Sequence, residues 1–209
     1  YLLVSCEFNG RLLVVDAGVT RVSKVIDLNG IRTPGATSPQ QARAMPGPKS
    51  QLSAGASAMP QDVRLSPDGK WFLVADMLRN GVWIIDATRR TVSRFVPTGL
   101  RAHGIYPSRD AKRVFVSNRD AGSIGVLDAA SSSLVATWRL PGRATPDMGG
   151  VTADGSQLWL AGRYSSEVYV IDTRSGALLR RIPTDPGPHG LLVWPQPGRF
   201  SLGHTGNLR

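Results

Sequence analysis

The sequence is poor in the residues that commit a chain to most kinds of chemistry. It has one cysteine, Cys6, three histidines and four lysines in 209 residues. A single thiol excludes an intrachain disulfide and a zinc site built from several thiolates. No Cys-x-x-Cys-His occurs, which excludes covalent c-type haem within these residues. No apolar run approaches the roughly 18–20 residues of a membrane-spanning helix. Acidic residues are few, 15 against 25 basic ones, for a formal charge of +10. The basic residues are mostly Arg and are dispersed, with runs no longer than Arg89-Arg90 and Arg180-Arg181. Without a basic block or a recognisable module, nucleic-acid binding is excluded as a reading. No Gly-x-Ser-x-Gly elbow, phosphate loop or dinucleotide fingerprint is present. No signal peptide is visible, and the chain opens on Tyr1 in an apolar run, so it is read as beginning inside a structural unit. What remains, 41% hydrophobic and 19% charged, is the composition of a globular protein.

What the sequence does have is a repeat. Four segments end in two apolar residues and Asp: Val14-Val15-Asp16, Ile84-Ile85-Asp86, Val126-Leu127-Asp128 and Val170-Ile171-Asp172, spaced by 70, 42 and 44 residues. A turn recurs in step, as Ser66-Pro67-Asp68-Gly69, Ser108-Arg109-Asp110-Ala111 and Thr152-Ala153-Asp154-Gly155. A third marker follows it, as Val74-Ala75-Asp76, Val116-Ser117-Asn118 and Leu160-Ala161-Gly162. Between markers, the aromatic and β-branched runs 71–76, 81–86, 91–96, 113–118, 134–140 and 167–172 read as strands. Each period therefore predicts four short antiparallel strands, a to d, and no amphipathic helix competes. A period of about 42 residues with four strands is that of a β-propeller blade. The terminal aspartates of strand c and the aspartates of the turn are read as turn-forming acceptors, and the tryptophans, Trp194 among them, as packing residues.

Arg113-Val-Phe-Val-Ser-Asn118, Gly122-Ser-Ile-Gly-Val-Leu-Asp128, Leu134-Val-Ala-Thr137 and the Pro-Asp-Gly turn resemble the YVTN-type β-propeller repeat. The resemblance implies an all-β chain of the propeller superfamily that includes quinoprotein amine dehydrogenase-like and lactonase-like members, and an extracytoplasmic setting in bacteria. The chain is read as one partial propeller over residues 1–209, starting at a strand b (Tyr1–Cys6) and ending in a truncated repeat (strand a at 189–194, strand b at 199–203). The first spacing is long by 28 residues. That excess lies in a Pro/Gly/Ser/Ala-rich insertion loop over 30–60, leaving about 4.3 blades. The resemblance implies part of a larger ring of about seven, and a closed four-blade ring sealed by the terminal strands is the alternative.

Candidate site residues follow from register. The positions just before strand a are Gln61, His103, Asp147 and His189. They are expected to ring the mouth of a central channel, at the end where the d–a and b–c loops gather. His204 falls in a b–c loop at the same end. Arg119 and Arg163 hold equivalent b–c positions, Tyr164 adds an aromatic ring, and Arg101 lies beside His103. Histidine, carboxylate and amide around an opening suit a polar ligand or a metal, though no metal or cofactor is assigned from the residues. The arginines suit a small anion. The repeat without a catalytic constellation predicts a non-catalytic scaffold that binds a ligand or a protein. Arg101-Ala-His-Gly-Ile-Tyr-Pro107 also resembles the active-site segment of 6-phosphogluconolactonase-like propellers, which implies lactone hydrolysis with His103 as base and Arg101 or Arg119 at the oxyanion. The similarity of these blades to haem-carrying nitrite reductase and quinoprotein propellers implies a redox or cofactor-associated alternative.

Overall fold

A computed structural model describes residues 1–18, 20–35 and 53–195. The expected strands form wherever the period places them in a complete repeat. Two compact units, Tyr1–Ala102 and His103–Arg209, carry them.

In the first unit, β1 (Leu2–Cys6), β2 (Arg11–Asp16) and β3 (Arg21–Asp27) make a three-stranded antiparallel sheet, with strands b, c and d present. β4 (Pro60–Leu65), β5 (Trp71–Asp76), β6 (Gly81–Asp86) and β7 (Thr91–Pro97) make a full four-stranded blade. Leu12, Val14, Ile26, Leu28, Val74, Trp83 and Ile85 form its core. The expected insertion over 30–60 falls largely outside the described residues. Its described end is not a free loop, since Ala58 and Met59 are fully buried and Asn29 Oδ1 accepts the N–H groups of Ser57 and Ala58.

The second unit repeats the blade twice. β8 (Ala102–Pro107), β9 (Arg113–Asn118), β10 (Ser123–Asp128) and β11 (Leu134–Arg139) form one sheet. β12 (Pro146–Val151), β13 (Gln157–Gly162), β14 (Glu167–Asp172) and β15 (Leu178–Pro183) form the next. Tyr106, Phe115, Ile124, Val126, Val151, Leu158, Leu160, Tyr169 and Ile171 interdigitate as one core. Alternation along each strand explains this. Residues two apart share a face, so Val114/Val116 and Phe115/Ser117 point to opposite sides of β9.

The repeated aspartates are turn acceptors. Asp86, Asp128 and Asp172 each accept the backbone N–H three residues on. In the a–b turns Ser66, Ser108 and Thr152 donate their hydroxyls to Asp68, Asp110 and Asp154, which also accept the N–H of Lys70, Lys112 and Ser156. These exposed carboxyls are held below the ordinary carboxylate range by the hydroxyl bonds first and the backbone bonds next, Asp154 to about 2.

The strand expected at 189–194 is not there. Residues 184–195 contain no strand, Leu192 is exposed, and Trp194, expected to pack, is 82% exposed. A strand exists only against a partner that satisfies its N–H and C=O groups. The segment expected to supply that ladder, 199–203, lies outside the described residues.

Candidate functional site

The register across each full blade brings the start of strand a, the end of b, the start of c and the end of d into one row. In the last blade that row is Pro146, Gly162, Glu167 and Pro183. The d–a and b–c connections therefore leave from the same end, and the candidate residues of the second unit gather there.

Asp147 is the second residue of β12, and pairing with β13 is irregular between Pro146 and Gly149. Such a bulge takes a residue out of the ladder and re-aims its side chain. Two hydroxyls from the preceding blade fix its backbone. Ser117 Oγ donates to the Asp147 carbonyl at 2.8 Å, and Tyr106 Oη donates to the same carbonyl at 3.2 Å. Tyr106 Oη in turn accepts the Gly149 N–H at 3.0 Å. Gly149 must be glycine, because a Cβ there would stand 1.8 Å from the Trp159 carbonyl oxygen. Gly104 leaves the room in which Tyr106 lies, a Cβ there meeting its hydroxyl oxygen at 2.1 Å.

The Asp147 side chain is buried with two basic neighbours. Arg119 Nη2, from the b–c loop, donates to Oδ1 at 2.7 Å. His103 Nδ1, from β8, lies 3.0 Å from the same oxygen. That histidine contact is one of distance, not alignment, and Nδ1 makes no directed hydrogen bond. The other carboxylate oxygen, Oδ2, is buried with no partner. Leaving such an acceptor empty costs about 1–3 kcal/mol, a cost a ligand would relieve. His189 completes the group from the exposed side, its ring 6.2 Å from that of His103 in an edge-on arrangement. Val193 of the same segment lies against Gly150 of β12. Arg119 also lies over the Tyr164 ring at 5.6 Å, as does Arg163 at 5.7 Å.

Burial pushes the His103 imidazole below its ordinary range, and the Arg119 cation pushes it the same way, against the pull of Asp147. Burial pushes Asp147 up, but the histidine contact and the Arg119 charge outweigh it and hold the carboxyl below its ordinary value. At neutral pH the site is thus a carboxylate, a guanidinium and a neutral imidazole.

The structure brings together His103, Asp147, His189, Arg119, Tyr164 and Arg163. Gln61 and Arg101 belong to the first unit. Gln61 is half-buried, its Nε2 donating to the Met59 carbonyl at 3.3 Å. Arg101 is buried at a positive φ of 54°, with its N–H donating to Asn80 Oδ1. His204 lies outside the described residues. Arg119 is buried in its b–c loop, because the Asp147 carboxylate gives its charge a partner inside. Tyr106 and Ser117 carry no mark of function in the sequence beyond their places in the repeat. Only the bulge they support shows what they do.

The first unit holds another buried carboxylate. Asp76, at the end of β5, accepts the N–H groups of Met59, Leu78 and Arg79 on Oδ1 and the indole N–H of Trp83 on Oδ2. Burial pushes it above the ordinary range, against the pull of these four donors. With both oxygens occupied it is a packing element.

Comparison with known proteins agrees with the fold. A family model described as a YNCE-like beta-propeller matches residues 49–197. No curated protein sequence matches the chain significantly. Among solved structures, Kuenenia stuttgartiensis hydrazine synthase is similar at 19% identity and a TM-score of 0.60, over 83% of this chain and 43% of that one. A catalytically inactive virginiamycin B lyase from Staphylococcus aureus with quinupristin is similar at 17% identity and 0.54, over 71% and 47%. A chain of the mitotic checkpoint complex is similar at 18% identity and 0.59, over 86% and 45%. At such identities the likeness concerns the fold. The chain spans less than half the length of these structures.

Proposed function

This chain belongs to the YNCE-like β-propeller family, and from that premise we propose that it is a binding module whose ligand docks at the loop end of the second unit. The observation that supports this is the unpartnered, buried Oδ2 of Asp147 beside the exposed His189. The arginines alone suggest an anion. The Arg119 charge is already matched by Asp147, however, so the buried part of the site asks for a donor or a cation. Tyr164 and Arg163 form the outer wall. An extracytoplasmic setting is part of this reading, carried by the resemblance of the repeats.

A thermal-shift screen of metal-free protein against small amines, amides and amino acids tests it. A ligand that raises Tm in the wild type and not in Asp147→Asn supports the reading. No ligand, or one indifferent to that substitution, ends it.

A hydrolytic reading has one observation in its favour, a buried His103 whose imidazole is neutral at neutral pH and lies 3.0 Å from a carboxylate. Lactone hydrolysis by wild type and His103→Ala at equal rates ends it.

A further inference from the structure

The binding reading leaves open what meets Asp147 Oδ2. Among the described residues, the candidates elsewhere are closed. Asp76 has donors on both oxygens, the turn aspartates bind their own turns, and Cys6 is a lone thiol. The end of the second unit differs. His103, Asp147 and His189 each offer one ligand atom, and those atoms lie within 4.8 Å of one another. Two of the three residues are buried, and their orphaned atoms, His103 Nδ1 and Asp147 Oδ2, are both metal-ligand types.

We infer that His103, Asp147 and His189 form a binding site for one divalent transition-metal ion, an inference that rests on the binding reading and names its ligand class. Two imidazoles and one carboxylate favour Zn²⁺, Co²⁺ or Ni²⁺ over Mg²⁺ or Ca²⁺, which take oxygen ligands. Ligand atoms about 2.0–2.2 Å from a tetrahedral ion stand about 3.4 Å apart. His189 therefore has to close in, and it is the ligand best able to do so, because its segment is tied to no ladder. The other two are fixed by strands β8 and β12. Arg119, bonded to Oδ1, serves as the outer partner that orients the ligating carboxylate. Ser117 and Tyr106 position it from behind, through its backbone. Three protein ligands leave at least one coordination position open, which makes the ion a docking point for a further small ligand.

The test uses tag-free protein stripped with a chelator and titrated with Zn²⁺ by calorimetry and with Co²⁺ by visible absorption. One ion per chain is expected, with ligand-field bands and a rise in Tm. His189 is exposed and lies in no strand, so His189→Ala is expected to keep the fold, checked by an unchanged circular dichroism spectrum, and to weaken binding at least tenfold. Asp147→Asn is expected to weaken binding as much. Absence of binding in the wild type at 100-fold excess metal overturns the inference, and so does binding that both substitutions leave unchanged. An amine or amide that still binds metal-free protein through Asp147 preserves the binding reading when the metal fails. Metal binding without any organic ligand preserves this inference alone.

Discussion

Asp76 and Asp147 are both fully buried carboxylates at the same end of their blades, and they differ in how many donors reach them. Asp76 has four, all neutral, shared between its two oxygens. Asp147 has a guanidinium and a histidine on one oxygen and nothing on the other. A saturated carboxylate ties a b–c loop and the entry to β4 into one piece. A half-saturated one leaves one oxygen of a buried carboxylate unpartnered. Burial alone therefore does not distinguish the two carboxylates, whereas the unsatisfied oxygen does.

The largest test of this contrast is Asp76→Asn. The amide places an NH₂ against donors whichever way it turns, so a loss of about 3–4 kcal/mol is expected in urea unfolding. A loss below about 1 kcal/mol would contradict the saturated assignment. Gly149→Ala comes next. Its Cβ meets the Trp159 carbonyl, so the bulge must shift, with about 2–3 kcal/mol of destabilisation by thermal or urea unfolding and loss of binding at Asp147. Asp147→Asn keeps an oxygen toward Arg119 and turns its NH₂ to the empty side, but it removes the charge that pairs the buried guanidinium, so a cost of about 3 kcal/mol is expected. A cost below about 1 kcal/mol would show that Arg119 does not depend on the carboxylate.

The smallest effect concerns pH. Asp154 is depressed from 3.8 to about 2 in the folded chain, so its ionised form favours folding above the unfolded value. That contribution is lost as pH falls through the folded one. The stability gap between wild type and Asp154→Asn should thus shrink from pH 4 to pH 2. Asp76 has the opposite sign. Its raised folded value gives stability present in acid and lost as pH rises through that value. A gap for Asp154→Asn that widens in acid would refute the turn assignment.

The blades were legible because a period of 42–44 residues is written in turns and strands that depend on local chemistry. The grouping of His103 with Asp147 was also legible, because equivalent positions in successive repeats meet at one end of neighbouring strands. Three things were not. The bulge at Asp147 has no signature of its own in the sequence, and Tyr106 holds it by bridging its two backbone groups. The burial of Arg119 depends on a carboxylate 28 residues away. The missing strand at 189–194 reads as strand a in every residue, since pairing is a property of the neighbour and not of the segment.

The two hydroxyls behind Asp147 have a consequence for how such a chain can be cut and recombined. Tyr106 and Ser117 sit in one repeat and hold the backbone of the next. No single repeat owns the site. Exchanging the blade at 146–183 for another copy would transfer Asp147 while leaving behind the residues that aim it, and duplicating the blade at 102–139 would supply the supports with nothing to support. The candidate site is out of phase with the blade. It runs from β8 to β12, across the joint, and a chimera cut between those two blades will break it.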